Sequence, residues 1–199
     1  MYTTPFVSLA NLARRDRLLR AIRGYFQNAG YIEVETPVRI PAPAPEEQID
    51  CPESEGAWLR ASPELQMKRL LAAGAERIYQ MGPCFRRGER GRRHNPEFTL
   101  LEWYHAGVAS DAIRDECCQL IRHVTRELTG GTRFVCQGTP VEVGGTWERL
   151  TVREAFMRWA GWDPVGDWDA DRFDVDLVER VEPQLPRERP CILEGYPAP

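Results

Sequence analysis

Apolar residues recur at helical spacing near the start of the chain and again near residue 65. They repeat every three or four positions between Leu9 and Asn28, with arginines between them, which predicts an amphipathic helix ended by Gly30. Ser62-Pro63-Glu64 has the composition of a helix start, a capping serine followed by proline, and predicts a second helix over 65–73. The same periodicity predicts further helices over 110–128, 152–159 and 170–181.

Shorter apolar segments between turn residues predict strands. They lie at 31–38, 58–61, 78–86, 97–105 and, after Gly130-Gly131, in several short segments that end with 190–194. The two longest flank a loop of hairpin length, so we expect them to pair antiparallel within an α+β domain. The proline-rich segment 41–45 is semi-extended and cannot form an inner strand.

One face of the predicted hairpin has an unusual composition for a protein core. Strand alternation places these residues together: Phe98, Leu100, Glu102 and Tyr104 from one strand, and Gly82, Cys84 and Arg86 from the other. Burying Glu102 without a cationic partner would cost several kcal/mol. We therefore predict that this face lines a pocket, where Phe98 stacks on a base, Arg86 holds a phosphate, and Glu102 with Tyr104 holds an amine.

Composition narrows the class of protein. The 26 Lys and Arg residues against 30 Asp and Glu give a net charge of −4, which argues against a general nucleic-acid coat or a polybasic membrane binder. No apolar run approaches the roughly 20 residues that span a bilayer, and no secretory signal is visible, so no membrane partner is expected. The six cysteines include no Cys-x-x-Cys pair, which predicts buried, reduced thiols in a cytoplasmic protein and no zinc ribbon.

The loop between the two long strands concentrates positive charge. Arg86 lies at its entry, four more arginines follow at 87, 90, 92 and 93, and Gly88 and Gly91 allow the backbone to approach a ligand closely. A polyphosphate fits this arrangement. On charge alone, a solvated basic loop is the more common explanation, and both readings stay open at this point.

Three ordered segments resemble a known family. Phe85-Arg86, followed by the segment 94–102 (His-Asn-Pro-Glu-Phe-Thr-Leu-Leu-Glu), resembles motif 2 of class II aminoacyl-tRNA synthetases of the lysyl type. Residues 30–37 resemble motif 1, which builds the dimer interface in that class, and 62–70 resembles the segment that meets the amino-acid substrate. The resemblance implies a class II-like antiparallel sheet flanked by helices, and a homodimer that forms through the motif 1 region.

Within that class the chain is most similar to the shortened paralogue, the elongation factor P lysine ligase. The catalytic fold begins almost at Met1, which leaves no room for a preceding anticodon-binding barrel, and Ser62 stands where lysyl-tRNA synthetases carry Ala. The resemblance implies that ATP, with Mg²⁺, activates lysine or β-lysine as an adenylate, which passes to a lysine of elongation factor P. The alternatives are a lysyl-tRNA synthetase core that charges tRNA-Lys, a non-catalytic nucleotide-binding or dimerisation module, and an arginine-rich RNA-binding module, with which the net charge conflicts.

On the nucleotide side, the resemblance assigns Arg86 to the α-phosphate as the catalytic contact and Phe98 to adenine. The residues expected to line the rest of the ATP site are Arg87, Gly88, Glu89, His94 and Asn95. Glu89 stands one position after the usual motif 2 glutamate, and in this glycine-containing loop we expect it to reach adenine or a neighbouring arginine. His94 has an equal alternative role in the turn before Pro96.

On the amino-acid side, the resemblance implies a substrate site formed by Ser62, Pro63, Glu64, Glu102 and Tyr104. Glu64 matches a carboxylate that holds an ammonium group; its alternative role is that of an ordinary acid in the first turn of a helix. Tyr104 matches a hydroxyl contact, and Glu102 either binds the substrate or orients its neighbours.

Two family features are absent from the sequence after Tyr104: the Gly-rich motif 3 that ends in Asp-Arg, and the later acidic segment that helps to bind Mg²⁺. We therefore expect residues 1–199 to form a partial, C-terminally incomplete catalytic domain with little activity alone. In this interpretation 130–199 is an insertion or helical region before the missing motif 3, and the Mg²⁺ ligands lie mainly in the missing part. The acidic run over 163–188 is interpreted as a solvated face, and no metal site is predicted in the chain.

Overall fold

A computed structural model describes residues 8–43, 45, 49–92 and 94–197. The chain divides into two compact units, Met1–Cys118 and Gln119–Pro199. The first contains α1 (Leu9–Asn28), β1 (Ile32–Glu33), β2 (Arg39–Ile40), β3 (Glu53–Ser54), β4 (Ala57–Leu59), α2 (Glu64–Ala72), β5 (Arg77–Phe85), β6 (Glu97–His105) and the start of α3 (Ser110–Thr129). The predicted α+β class is confirmed.

The central feature of the first unit is the long hairpin of β5 and β6. These strands pair antiparallel along their whole length, and the register sets Gln80 opposite Glu102 and Cys84 opposite Phe98. Directly paired residues point to the same side of a sheet. The predicted face is therefore confirmed for the strand residues, while Arg86 follows immediately after β5 ends.

The opposite face of the hairpin packs against α1. The fully buried ring of Phe26 stacks on Tyr79 with centroids 4.5 Å apart and lies 5.7 Å from Trp103. Burial raises the pKa of Tyr79 to about 12, helped by its hydrogen bond to Glu33. Aromatic packing thus occupies the middle of this face, whereas Gln80 and Glu102 lie on the other face.

The predicted strand over 31–38 is much shorter in the structure. Only Ile32 and Glu33 pair with β5, and they do so in parallel. The chain then diverges, because the backbone N–H of Thr36 donates to the side-chain Oε1 of Gln80 at 3.2 Å instead of to a strand carbonyl. A hydrogen bond to a buried side chain thus takes the place of the next backbone hydrogen bond between the strands.

The predicted strand over 58–61 is likewise shortened, to the three residues of β4, which pairs with β2 and β3. Ala44, in the proline-rich segment, lies outside the described residues.

The second unit contains short strands and helices. They are β7 (Arg133–Cys136), β8 (Thr139–Glu142), β9 (Glu148–Thr151), α4 (Val152–Trp159), α5 (Ala170–Asp176), a π-helical turn (Leu177–Val181), a 3₁₀ turn (Glu182–Gln184) and β10 (Cys191–Glu194). β7 and β8 form a hairpin, whereas β9 and β10 pair in parallel. The core gathers around Phe156, which stacks on Phe173 with centroids 4.7 Å apart.

The acidic run in this unit is mostly exposed, as predicted for a solvated face, and three of its carboxylates also have local structural roles. Asp169 caps α5, and Asp163 accepts from the Val165 amide and pairs with Arg153. Asp176 is buried rather than solvated, and accepts a hydrogen bond from Trp162 while pairing with Arg180. In the described part of the chain, no group of three or more His, Cys, Asp or Glu side chains is placed to hold a metal ion.

All six cysteines are free thiols, but the prediction that they are buried is wrong for Cys136, which is exposed on β7. All four residues of β7 are exposed, whereas most of its partner strand β8 is half-buried. None of the helices in the described ranges combines the length and the apolar character that a membrane span requires.

Candidate active site

Glu102 lies at the centre of a short hydrogen-bonded chain of side chains. Its Oε2 accepts from the Ser62 hydroxyl at 2.8 Å, and its Oε1 accepts from the Tyr104 hydroxyl at 2.6 Å. Burial and this bond raise the pKa of Tyr104 above its ordinary value, so the phenol stays protonated and keeps donating. Glu102 is thus a half-buried carboxylate whose two donors are neutral, which leaves its negative charge available to a cation.

Ser62 connects this carboxylate to α2. The serine Oγ accepts from the backbone N–H of Glu64 at 3.1 Å while its own proton goes to Glu102. The helix begins at Glu64, one residue earlier than predicted, and its N-cap is Pro63 instead of the predicted Ser62. The serine nevertheless satisfies a free amide of the first turn from one position further out. Pro63 is buried between the two and fixes the direction in which the chain enters the helix.

Glu64 already has an intrachain partner. Its carboxylate pairs with the ammonium of Lys68 one turn later, and this bond raises the pKa of Lys68. The i, i+4 spacing of these two residues was a sequence signal for the pair. Both side chains are accessible to solvent, so the pair contributes little to stability.

The nucleotide-side residues lie at the other end of the same face. The Arg86 guanidinium stands over the Phe98 ring, 5.1 Å from its centroid, and its Nη1 lies 3.6 Å from the Glu89 carboxylate. The buried Nε of Arg86 has no hydrogen-bond partner among the described residues. A guanidinium with an unsatisfied buried N–H and one long ion pair is suited to accept an anion.

Backbone hydrogen bonds hold the loop in place. The Arg86 amide donates to Pro96 O at 2.9 Å, and the Arg87 amide to Asp50 O at 2.7 Å. Gly88 has a φ of +77°, a conformation that its lack of a side chain makes accessible. The side chains of Arg87 and Asn95 are exposed.

His94 and Gly91 exchange backbone hydrogen bonds at 3.1 and 3.4 Å, which form a tight turn. These bonds do not involve the imidazole of His94, which is exposed, so both roles considered for this side chain stay predictions. Arg93 lies outside the described residues.

The predicted residues thus form two groups on one hairpin. Strand residues rise by about 3.3 Å each, so the four steps from Phe98 to Glu102 correspond to about 13 Å. An extended ligand with a flat ring at one end, an anionic centre near the ring and an amine at the other end matches this order of groups.

The sequence of this chain matches the model of a known protein family. The model of class II tRNA synthetases of the D, K and N types matches residues 5–188. The chain belongs to this family.

Similar proteins of the family come from two groups. The lysine–tRNA ligase of Moorella thermoacetica is 35% identical over 182 residues, which cover 87% of this chain and 37% of the relative. The elongation factor P–(R)-β-lysine ligase of Proteus mirabilis is 32% identical over 227 residues, covering 98% of this chain and 64% of the relative. The corresponding ligase of Vibrio cholerae is 38% identical over 171 residues, covering 81% and 48%. The chain thus spans between about a third and two thirds of the length of these relatives.

The Mg²⁺ expected for this family finds few ligands in the described residues. Mg²⁺ sites usually combine one or two carboxylates with substrate phosphates. Glu64 and Glu102 already bind a lysine and two hydroxyls, respectively, and the described chain has no cluster of three potential ligands. The described residues thus offer no preformed, unengaged set of ligands for Mg²⁺.

Proposed function

We propose that this chain supplies the ATP-binding and amine-binding halves of a ligase site that activates lysine or β-lysine. The observation that carries the proposal is the placement of two complementary charges on one face of the hairpin. Glu102 is held by neutral donors alone, and Arg86 keeps an unsatisfied buried N–H near an aromatic ring. The family and the names of its similar members support a lysine-activating ligase.

In the first step, a carboxylate oxygen of the amino acid attacks the α-phosphorus of ATP. The bond from that phosphorus to the bridging oxygen breaks, and pyrophosphate leaves with the electron pair. Arg86 stabilises the charge that develops on the α-phosphoryl oxygens, and the ring of Phe98 orients adenine. The Arg86 guanidinium already lies over one face of the Phe98 ring, so adenine that stacks on this ring lies next to the guanidinium.

The amine-binding residues select the substrate. Glu102 accepts the side-chain ammonium, with the Tyr104 hydroxyl as a fixed neighbour, and Glu64 accepts the second ammonium after displacing Lys68. Lysine and β-lysine each carry two ammonium groups and differ in the carbon atom to which one of these groups is attached. Both therefore fit this description, and an uncharged side chain of similar length does not.

In the second step, an amine of an acceptor attacks the carbonyl carbon of the adenylate, loses a proton, and AMP leaves. We favour a lysine side chain of elongation factor P as this acceptor because Ser62 stands where the tRNA-charging enzymes carry Ala. The alternative acceptor is a ribose hydroxyl of tRNA-Lys, which the similarity to lysine–tRNA ligases supports. A cytoplasmic location is part of the same proposal.

The test measures binding and chemistry separately. Calorimetry with ATP, lysine, β-lysine and leucine should show binding of ATP and of both diamines and none of leucine. ATP–pyrophosphate exchange should be slow because the sequence lacks a motif 3 arginine. Acylation is then followed with elongation factor P and with tRNA. Transfer to tRNA alone would contradict the favoured acceptor, and a failure to bind ATP or either diamine would contradict the proposal as a whole.

A homodimer through the motif 1 region is a separate part of the proposal. β1 forms an edge of its three-stranded sheet, and Ile32 on this strand is 63% exposed. Exposed apolar residues on an edge strand favour association with another chain. Replacing Ile32 with Asp should convert a dimer to a monomer in analytical ultracentrifugation, whereas a wild-type monomer at micromolar concentration would contradict this part.

A further inference from the structure

Arg60 is an unusual residue in the interior of the first unit. Its side chain is only 1% exposed, and none of the ion pairs found in the described ranges involves it. Its hydrogen-bond acceptors include neutral oxygens of two other chain segments, and its side chain also contacts the Cys84 thiol. Burying a guanidinium without a carboxylate partner costs folding free energy unless its N–H groups find acceptors. The folded state therefore depends on the hydrogen bonds that Arg60 makes.

The guanidinium joins the segment after β1 to the end of β5. Nη1 donates to the backbone oxygen and to the Oγ1 of Thr36, both at 2.8 Å, and Nε donates to Pro83 O at 3.1 Å. The Thr36 hydroxyl in turn donates to Oε1 of Gln80 at 2.9 Å. A single planar group thus fixes the separation of two segments that form no ladder with each other at this point.

The backbone of Arg60 holds β5 a second time. Its carbonyl accepts from the Phe85 amide at 2.9 Å, and its own amide donates to Val38 O at 2.9 Å. The end of β5 is therefore clamped at residues 83 and 85, one position before Arg86. Ser62, which donates to Glu102, lies two residues after Arg60 in the same segment.

Gly82 provides the space for this clamp. A Cβ at this position would lie 2.8 Å from Nη2 of Arg60, closer than side-chain atoms approach. A methyl group there would push the guanidinium away from its acceptors without changing any charge. The glycine and the arginine thus form a matched pair.

We propose that Arg60 is a positioning residue that clamps the end of β5 and thereby places Arg86 for the α-phosphate. The inference rests on the proposed function of Arg86 and extends it to a residue that touches no ligand. Lysine cannot replace Arg60, because one ammonium cannot donate in the plane to both Thr36 and Pro83.

The experiment measures ATP affinity by calorimetry for the unchanged chain, Arg60→Lys, Gly82→Ala, the double variant and Arg39→Lys. Arg39 pairs with Glu55 at 3.0 Å on the surface and serves as the matched control. We expect Arg60→Lys and Gly82→Ala each to raise the Kd for ATP about tenfold. The double variant should be no weaker than Arg60→Lys, because Gly82→Ala acts through the guanidinium. Arg39→Lys should bind like the unchanged chain.

Thermal unfolding of every variant separates positioning from stability. A folded Arg60→Lys chain with a lower Tm and an unchanged Kd for ATP would overturn the inference, as would additive effects in the double variant. Where Arg60→Lys does not fold, Gly82→Ala decides: an unchanged Kd overturns the inference and a tenfold rise supports it. If the unchanged chain binds no ATP, the proposed function itself is overturned. If the chain binds ATP and the affinity does not depend on Arg60, only the inference about Arg60 is overturned.

Discussion

The two ends of the candidate site are built differently. At the amine end, side chains bond directly to one another: Ser62 and Tyr104 both donate to Glu102 within 2.8 Å. At the phosphate end, backbone hydrogen bonds hold the loop while its side chains make looser contacts, such as the 3.6 Å pair of Arg86 and Glu89. The amine end is therefore preorganised, and the phosphate end keeps side-chain freedom to close around a ligand.

This difference has an energetic consequence. Side chains bonded to each other contribute to the folded state before any ligand arrives, so substitutions at the amine end should cost stability and affinity together. The Nε of Arg86 has no acceptor among the described residues and gains one only with an anion. Substitutions at the phosphate end should therefore cost affinity while leaving the free energy of unfolding nearly unchanged.

The largest effect is expected for Arg86→Ala. Removing a charged hydrogen-bond donor to a phosphate should raise the Kd for ATP about 100-fold, with a change in Tm of no more than about 2 °C. Calorimetry and thermal unfolding measure the two quantities. Arg20→Ala, which removes an exposed pair with Asp16, is the control. A large loss of Tm with Arg86→Ala would break the proposed distinction between the two ends.

Glu102→Gln should have the next largest effect. The amide keeps one acceptor oxygen but loses the charge, so the Kd for lysine should rise about tenfold while the Kd for ATP stays constant. Because Gln cannot accept from both Ser62 and Tyr104 with full strength, the Tm should fall as well. Glu53→Gln on the exposed strand β3 is the matched control. Equal losses of ATP and lysine affinity would contradict the assignment of separate ends.

Ser62→Ala should show both effects at a smaller size. The variant loses the oxygen that accepts from the first amide of α2 and one donor to Glu102, so unfolding should be easier by about 1 kcal/mol. Lysine affinity should fall a few-fold. Thr151→Ala removes the capping box of α4 and should cost similar stability with no change in lysine affinity. Denaturant titration and calorimetry distinguish the two variants. Identical lysine affinity in both would show that Ser62 only stabilises the start of α2.

The smallest effect is expected for Lys68→Met. Removing the competitor of Glu64 should strengthen lysine binding about twofold, the amount that an exposed pair contributes. Arg69→Met on the same helix leaves Glu64 paired and should not change affinity. Weaker lysine binding in Lys68→Met would mean that Lys68 supports the site instead of competing for it.

Local signals in the sequence were enough to predict the scaffold of the site. The helix over 9–28 and the strand over 97–105 follow from their own periodicity, and β6 matches the prediction residue for residue. Strand alternation then placed Phe98 and Glu102 on one face, and the register confirms this. These features depend on neighbours in sequence, which is why composition and spacing were sufficient.

Contacts between distant segments were not predictable in the same way. Ser62 and Glu102 are 40 positions apart, and no local pattern states that their side chains meet. The strand predicted over 31–38 failed for the same reason, since Gln80 captures the amide of Thr36. The clamp of Arg60 likewise depends on a glycine at position 82 of another strand. The site roles of the individual residues remain predictions.

In the proposed function, the two ends of the hairpin bind two parts of one adenylate. The most direct measurement is the affinity of a non-hydrolysable lysyl-adenylate analogue for the unchanged chain, Arg86→Ala and Glu102→Gln, with a leucyl analogue as control. We predict that the lysyl analogue binds more tightly than ATP or lysine alone and that each substitution weakens it. Equal binding of the leucyl analogue, or a lysyl analogue that binds no better than ATP, would contradict the claim.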